Sequence, residues 1–170
     1  QPLACEGDYL ECMAAADQQP LATPFLLVER PTALDCCVLG GLRAHPLMDP
    51  DPRPRLSSFT TLLSWNARCT SERIPAHRFP PLEKLTPFAE LLLSRMRETY
   101  QPFIRANAVA LASGEKLFDA RSDGSDVRYL CRAYPERSRQ MVVARIATLS
   151  ARARETLDAI LAKHDLSTTF

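Results

Sequence analysis

Thr32 and Asp35 stand three residues apart, directly before a long apolar run. This is the spacing of a capping box, in which the Thr hydroxyl accepts from the N3 amide and the N3 side chain accepts from the N-cap amide. Asp is shorter than the usual Glu or Gln, and its charge suits a helix N-terminus. The run from Ala33 to about Ala44 is apolar on all faces, which predicts a helix buried at the centre of a helical domain.

The composition excludes function classes more than it selects one. The 170 residues suffice for one domain, or for one domain with an appendage. A net charge of +1 gives no bulk reason to expect nucleic acid or an anionic membrane as a partner. No apolar run approaches the roughly 18–20 residues that a membrane span needs. The chain begins at Gln1 without Met or a signal pattern, so a processed product and an incomplete one are both open.

The cysteines predict free thiols rather than a metal site. The sequence has no C-x-x-C pair and its three histidines are scattered, whereas zinc needs closely paired ligands. Cys36 and Cys37 are adjacent on the predicted buried helix. We therefore expect free, buried or half-buried thiols in a reducing compartment, the cytoplasm, with a secreted disulfide framework as the minority alternative. The cysteines are Cys5, Cys12, Cys36, Cys37, Cys69 and Cys131.

Amphipathic spacing predicts further helices on both sides of the capping box. The first covers residues 5–18, with acidic residues on its solvent side. Pro46 would end the apolar helix, and a turn-rich loop follows from Met48 to Pro54. Ser57 or Ser58 would cap the next helix. The inner face of that helix would hold Phe59, Leu62, Leu63 and Trp65.

The second half of the chain predicts more helices, interrupted by one segment without helical spacing. After a loop over 70–81, apolar residues recur at three- and four-residue steps to about Leu111. Pro87 fits a first helical turn, Pro102 should kink or split the helix, and Gly114 should end it.

The segment 116–132 predicts a small hairpin. Asp123-Gly124 lies between two short alternating runs, and an irregular loop is the alternative. Two helices should follow, one from Pro135-Glu136 to about Leu149 and one over 151–163, the latter capped by Ser150.

One stretch resembles a known family. The segment Phe25-Leu26-Leu27-x-Glu29-Arg30-Pro31-Thr32-Ala33-Leu34-Asp35, with its apolar helix, Pro/Asp loop and Phe59-x-x-Leu62-x-x-Trp65, resembles the all-helical C-terminal domain of glutathione S-transferase-like proteins. The match covers about residues 5–70, and residues 81–165 more loosely resemble extensions of some bacterial members. Val28 and Thr60 depart from the family pattern, where Gly and Pro are frequent.

The resemblance implies an all-α helical bundle. Residues 1–80 would form the helical core, 81–115 a long kinked helix that completes the bundle, and 116–170 an extension with a hairpin at 116–132 and two helices over 136–164. The capping box of Thr32 and Asp35 would support folding rather than chemistry.

The resemblance also implies that the chemistry lies elsewhere. The family binds glutathione mainly through an upstream thioredoxin-like domain, which is not recognisable here, so no catalytic residue is carried over. This chain would hold no cofactor and would be inactive alone; with the upstream domain it would conjugate the co-substrate glutathione to a small electrophile. A homodimer is a further partner that the resemblance leaves open.

Three residues are candidates for the apolar co-substrate pocket. Tyr9 and Met13 lie one turn apart on the side of the first helix that lines this pocket in relatives, and Trp65 would support it. Core or domain-interface packing is the alternative for all three.

Charge is distributed unevenly along the chain. Residues 121–154 carry eight Arg and three acidic residues, a net charge of +5, whereas residues 1–50 carry −5. A non-enzymatic interaction module could present Arg132, Arg137 and Arg139 to an acidic partner. RNA binding, with Tyr129 and Tyr134 stacking on bases, is a weaker hypothesis. Solvated helix faces, or pairing of the two halves, explain the asymmetry equally well.

Overall fold

The computed structural model describes residues 2–71, 85–122 and 124–170, and there the protein is mostly helical with one antiparallel hairpin. A 3₁₀ turn, Gln19–Leu21, follows the first helix, and a π-helical segment, Met96–Tyr100, joins the fifth and sixth. The helices are α1 (Pro2–Gln18), α2 (Ala33–Ala44), α3 (Arg53–Leu56), α4 (Thr60–Ser71), α5 (Pro87–Arg95), α6 (Gln101–Ala112), α7 (Ala133–Ala147) and α8 (Ala151–Lys163). The strands are β1 (Leu117–Ser122) and β2 (Ser125–Leu130).

The chain forms two compact units that meet in sequence between Leu91 and Leu92. This division differs from the one predicted at residues 80 and 115. The physical reason lies in the second unit, where α6 packs against both β1 and α7. The long helix predicted over 81–115 therefore does not form one block, because its second part belongs with the hairpin and α7.

The first unit buries its largest side chains between α1, α4 and the loop segments before α2 and α5. Helices α1 and α4 pack together, and the 3₁₀ turn contacts both. Met13 and Ala16 face inward from α1. The most deeply buried large side chains of this unit are Leu26, Leu56, Leu62, Trp65 and Phe88.

The second unit is built around α6 and the hairpin. Phe118 and Ala120 of β1 pack against Ala110 of α6, and Phe103 and Tyr129 complete the cluster. The three aromatic rings contact one another, with centroids 5.0 to 5.6 Å apart. Two strands are not stable alone in water, so this packing on α6 is what holds the hairpin.

The apolar helix α2 is not buried on all sides, and that prediction is wrong. Asp35 and Leu42 are its buried residues, and Val38 and Leu39 are half-buried on the same face. Its other positions are mostly small residues, which offer little surface to bury, so a single face is enough to hold the helix. The exposed residues of α2 are Ala33, Cys36, Cys37, Gly40, Gly41, Arg43 and Ala44.

Two more sequence expectations need correction. The hydroxyls of Ser57 and Ser58 donate to the carbonyls of Pro54 and Arg55, so they close α3 instead of capping α4. Helix α3 itself occupies part of the predicted loop, beginning at Arg53. The helix start predicted near Pro81 and most of the loop at 70–81 lie outside the described residues.

Several predicted boundaries are confirmed. Helix α5 begins at Pro87, and α6 ends two residues before Gly114, which has φ of 71°. The π-helical segment ends at Tyr100, two residues before Pro102; proline lacks an N–H and crowds the preceding turn, and the wider turn accommodates this. Ser150 caps α8 through its hydroxyl, which accepts from the Ala153 amide at 3.4 Å. The hairpin predicted at 116–132 is present.

Candidate functional site

The carboxylate of Asp35 is the most heavily bonded polar group of the first unit. Asp35 is 2% exposed. Its Oδ2 accepts from the amide and the hydroxyl of Thr32, both at 2.8 Å, and the reciprocal capping box is present. Its Oδ1 accepts from the Leu26 amide at 2.9 Å and from Trp65 Nε1 at 3.2 Å. One carboxylate therefore ties the loop before α2, the start of α2 and the middle of α4 together.

Other buried polar groups extend this arrangement to α5. The Thr86 hydroxyl donates to the Leu26 carbonyl at 3.0 Å and accepts from the Ala89 amide at 3.2 Å. Gln19 Oε1 accepts from the Phe88 amide at 3.4 Å. Sequence reasoning missed Gln19 and Thr86, because neither stands in a recognisable motif and both bond to residues distant in sequence.

The three predicted pocket residues do not share an open cavity. Trp65 is fully buried and bonded to Asp35, and Met13 is 9% exposed in the core. Tyr9 is half-buried, and its hydroxyl is buried without a hydrogen-bond partner among the described residues. Burial raises the pKa of the Tyr9 phenol. Of the three, only Tyr9 keeps a partly exposed side chain, and its buried hydroxyl has no hydrogen-bond partner among the described residues.

The arginines of the second unit are partly neutralised by local partners. Arg139 donates two hydrogen bonds to Glu136, at 2.8 and 2.7 Å, and Arg128 donates two to Asp119, both at 2.9 Å. Arg132 and Arg137 are exposed. The structure thus leaves Arg132 and Arg137, but not Arg139, as exposed charges from the predicted group.

The pair of Glu136 and Arg139 lies beside Tyr100. Hydrogen bonds from Arg139 hold the pKa of the Glu136 carboxyl below its usual range, and the same contact raises the pKa of Arg139. The pKa of Tyr100 is raised, chiefly by burial, while the charge of Arg139 acts in the opposite direction. The bonded pair of Glu136 and Arg139 fixes the first turn of α7.

Tyr129 is not available to stack on a nucleic-acid base. Its ring packs edge-on against Phe103 and stacks on Phe118 in the core of the second unit. Tyr134 is 78% exposed.

The buried amide of Asn107, which sequence reasoning also missed, accepts from the Arg132 amide and donates to the Arg132 carbonyl, both at 2.9 Å. Asn107 thereby fixes the chain between β2 and α7.

An open groove of about 670 Å³ lies between α6 and β1. Val109 and Leu117 on its walls are 68% and 52% exposed. Arg105, Glu115 and Asp119 supply charge of both signs. A second open cavity, of about 530 Å³, borders Arg121 and Gly124 at the other end of β1 and shares Pro102 with the first.

The thiols and acidic groups of the described residues form no metal site. Cys36 and Cys37 are exposed, contrary to the expectation of buried or half-buried thiols, because they lie on the open side of α2. Cys12, Cys69 and Cys131 are half-buried. Within the described residues, no helix is both long and apolar enough to cross a membrane.

Comparison with known proteins identifies no relative. No family model matches the chain, and no curated protein and no solved structure matches it significantly.

Proposed function

We propose that the first unit is the non-catalytic, co-substrate side of a glutathione S-transferase-like protein, whose thiol chemistry is carried out by an upstream thioredoxin-like domain. The observation that carries the proposal is the Asp35 carboxylate. It binds the Leu26 amide, the capping residue Thr32 and the Trp65 indole. These are the three parts of the sequence pattern that resembles the family, and they support one another through a single buried group.

Tyr9 has the main binding role in this proposal. It lies one helical turn from Met13, and its buried hydroxyl is unused within the described structure. An aromatic electrophile would pack on the partly exposed ring, and a polar substituent such as a nitro group would accept from the hydroxyl once the Tyr9 side chain turns to expose it. Trp65 acts indirectly, because its buried ring and its bond to Asp35 hold α4 in place.

The test is a nuclear magnetic resonance titration of the full chain with a chloronitroarene and, separately, with glutathione. We expect the electrophile to shift resonances of Tyr9 and Met13, and glutathione to shift none. Tyr9→Phe should keep the ring contact and weaken binding, while Tyr9→Ala should abolish it. Conjugation of glutathione by this chain alone would refute the assignment of the chemistry to another domain.

A second measurement addresses the upstream domain. The intact mass and N-terminal sequence of the natural product should show an additional thioredoxin-like domain of about 80 residues, an ordinary domain size. A natural product that begins at Gln1 would refute the transferase proposal.

One observation favours a second candidate, a non-enzymatic interaction module. None of the 15 residues of α7 is fully buried, and Tyr134 and Met141 are 78% and 68% exposed. An acidic partner helix would contact this surface, with Arg132 and Arg137 beside it. If so, Arg132→Ala with Arg137→Ala should abolish capture of the natural partner, while the matched change Arg152→Ala on α8 should leave it intact.

A further inference from the structure

The outer edge of β1 offers unpaired backbone groups to solvent. Within the described residues β1 pairs with β2 alone. The Cys131 amide donates to the Lys116 carbonyl at 2.9 Å, which makes these residues a hydrogen-bonded pair of the antiparallel ladder. Because such pairs alternate, every second residue of β1 points its N–H and C=O away from β2. The outward-pointing residues are Leu117, Asp119 and Arg121.

Both open cavities border this edge. The larger is lined by Leu117, Phe118 and Asp119 of β1, and the smaller by Arg121 and Gly124. Neither is lined by a residue of β2, so both lie on the far side of β1 from its partner strand. The other walls are α6 at the larger cavity and Arg95, Arg97 and Glu98 at the smaller, and the π-helical segment also packs on β1, so an added strand would lie between β1 and these residues.

The charged side chains at the edge of β1 are complementary to those at the same edge of a second copy. Asp119 and Arg121 project from the same face of β1, two residues apart. In a second copy running antiparallel, with Ala120 facing Ala120, each Asp119 stands opposite Arg121 of the other copy. Both residues point their backbone groups outward, so each such pair would also exchange two backbone hydrogen bonds.

The flanking strands extend this pattern. Asp119 already binds Arg128, and Arg121 lies opposite Asp126 in the register of the hairpin. In the resulting four-stranded sheet, Arg128 and Asp119 of one copy would stand in line with Arg121 and Asp126 of the other. Positive and negative side chains would therefore alternate across all four strands. Shifting the register to place Asp119 opposite Asp119 would bring like charges together, which is destabilising. The charges thus select one register.

The spacing of the helices fits the same arrangement. Phe103 contacts Phe118 of β1 at 5.5 Å and Tyr129 of β2 at 5.0 Å, so α6 covers both strands. Strands lie about 4.8 Å apart, which places the centres of the two hairpins about 10 Å apart. Packed helices have axes about 8–10 Å apart, so the two α6 helices would meet and cover the exposed Val109.

We propose that two copies of this chain associate through antiparallel pairing of their β1 strands, forming a four-stranded sheet in which Asp119 of each copy faces Arg121 of the other. The proposal is independent of the transferase assignment, since it uses only residues of the second unit. Charges on an edge strand can instead serve to prevent pairing. The experiment separates these two roles.

The test is a charge-swap experiment on the full chain, with mass measured by light scattering after size exclusion from micromolar to millimolar concentration. The unmodified protein should reach twice the mass of the 19.0 kDa chain. Arg121→Glu and Asp119→Lys should each remain monomeric, because each places two like-charged pairs across the axis. A mixture of the two variants should dimerise, since across the axis the new Glu then faces the new Lys, and Asp119 of one copy faces Arg121 of the other.

Amide hydrogen exchange tests whether the outer edge of β1 is the edge that pairs. The Asp119 and Arg121 amides should gain protection on dimerisation, whereas those of Phe118 and Ala120 should be protected in both states by β2. A chain that stays monomeric at every concentration would overturn the proposal, as would a dimer that both single variants leave intact. Failure of the mixed variants to associate would overturn the proposed register.

Discussion

Asp35 links segments of the first unit that are far apart in sequence. Its carboxylate accepts from the Leu26 amide, the Thr32 amide and hydroxyl, and Trp65 Nε1. We expect Asp35→Ala to lower the free energy of unfolding by about 3 kcal/mol, because it leaves buried donors without an acceptor. Asp35→Asn, which keeps the shape and one oxygen, should cost less. Trp65 is the single tryptophan and is fully buried, so its fluorescence during urea unfolding measures the effect.

Thr32 provides a milder test of the same box. Thr32→Ala should lower the free energy of unfolding by about 1 kcal/mol, the usual effect of losing a capping hydroxyl. Thr32→Ser keeps the hydroxyl and is the matched control, so it should lie within a few tenths of the unmodified protein. Equal losses in the two variants would show that the methyl group, and not the hydroxyl, is what matters at this position.

Whether the contacts of a single residue could be predicted depends on how far along the sequence its partner lies. The pair Thr32 and Asp35 was recognisable because both members lie within one helical turn. The bond from Trp65 to Asp35 spans 30 residues and that from Thr86 to Leu26 spans 60, and no local pattern encodes either contact. The resemblance groups Tyr9, Met13 and Trp65 as pocket residues, whereas in the structure Met13 and Trp65 contribute to the core.

Among the helices and strands, the glycines give the clearest prediction. Gly114 and Gly124 have φ of 71° and 76°, and a Cβ at either would meet no atom within 4 Å. Ala at either position should therefore destabilise the second unit by about 1–2 kcal/mol through backbone strain alone. Gly40 and Gly41 lie inside α2 with equally open surroundings, so Ala there should stabilise by about 0.5–1 kcal/mol. Thermal unfolding of the four variants would show whether the two effects have opposite signs.

The first turn of α7 supplies a pH-dependent contribution. Hydrogen bonds from Arg139 lower the pKa of Glu136, whose side chain is 14% exposed. Because the pKa is lower in the folded protein, the stabilisation is complete above the unfolded value of about 4.3 and is lost as the pH falls through the folded value. Glu136→Gln should remove this contribution, about 0.5–1 kcal/mol, at neutral pH. The free energy of unfolding, measured in urea from neutral pH to pH 3, should then fall less steeply with pH for the variant. Parallel curves for the two proteins would contradict the assignment.

Prediction of whole elements succeeded where local chemistry is decisive. Pro87, Gly114, Gly124 and Ser150 each mark a boundary that the structure has. The burial of α2 was not predictable in the same way, because Cys and Gly count as apolar in a sequence pattern but bury little surface. The two serines before α4 were suitable caps by type, yet the turn of α3 placed their hydroxyls against its own carbonyls.

At the scale of the whole molecule, each unit has its own core, and this leads to the last prediction. Trp65 and its neighbours form the core of the first unit, while Phe118 and the rings around it form that of the second. Damage to one core should therefore increase local opening in that unit and leave the other unchanged. Asp35→Ala should accelerate amide exchange within residues 2–71 and leave 92–170 as before, and Phe118→Ala should do the reverse. Hydrogen exchange followed by mass spectrometry of peptides from both ranges makes the measurement. Faster exchange in both units for either variant would show that they unfold together, and the two cores would then have to be treated as one cooperative structure.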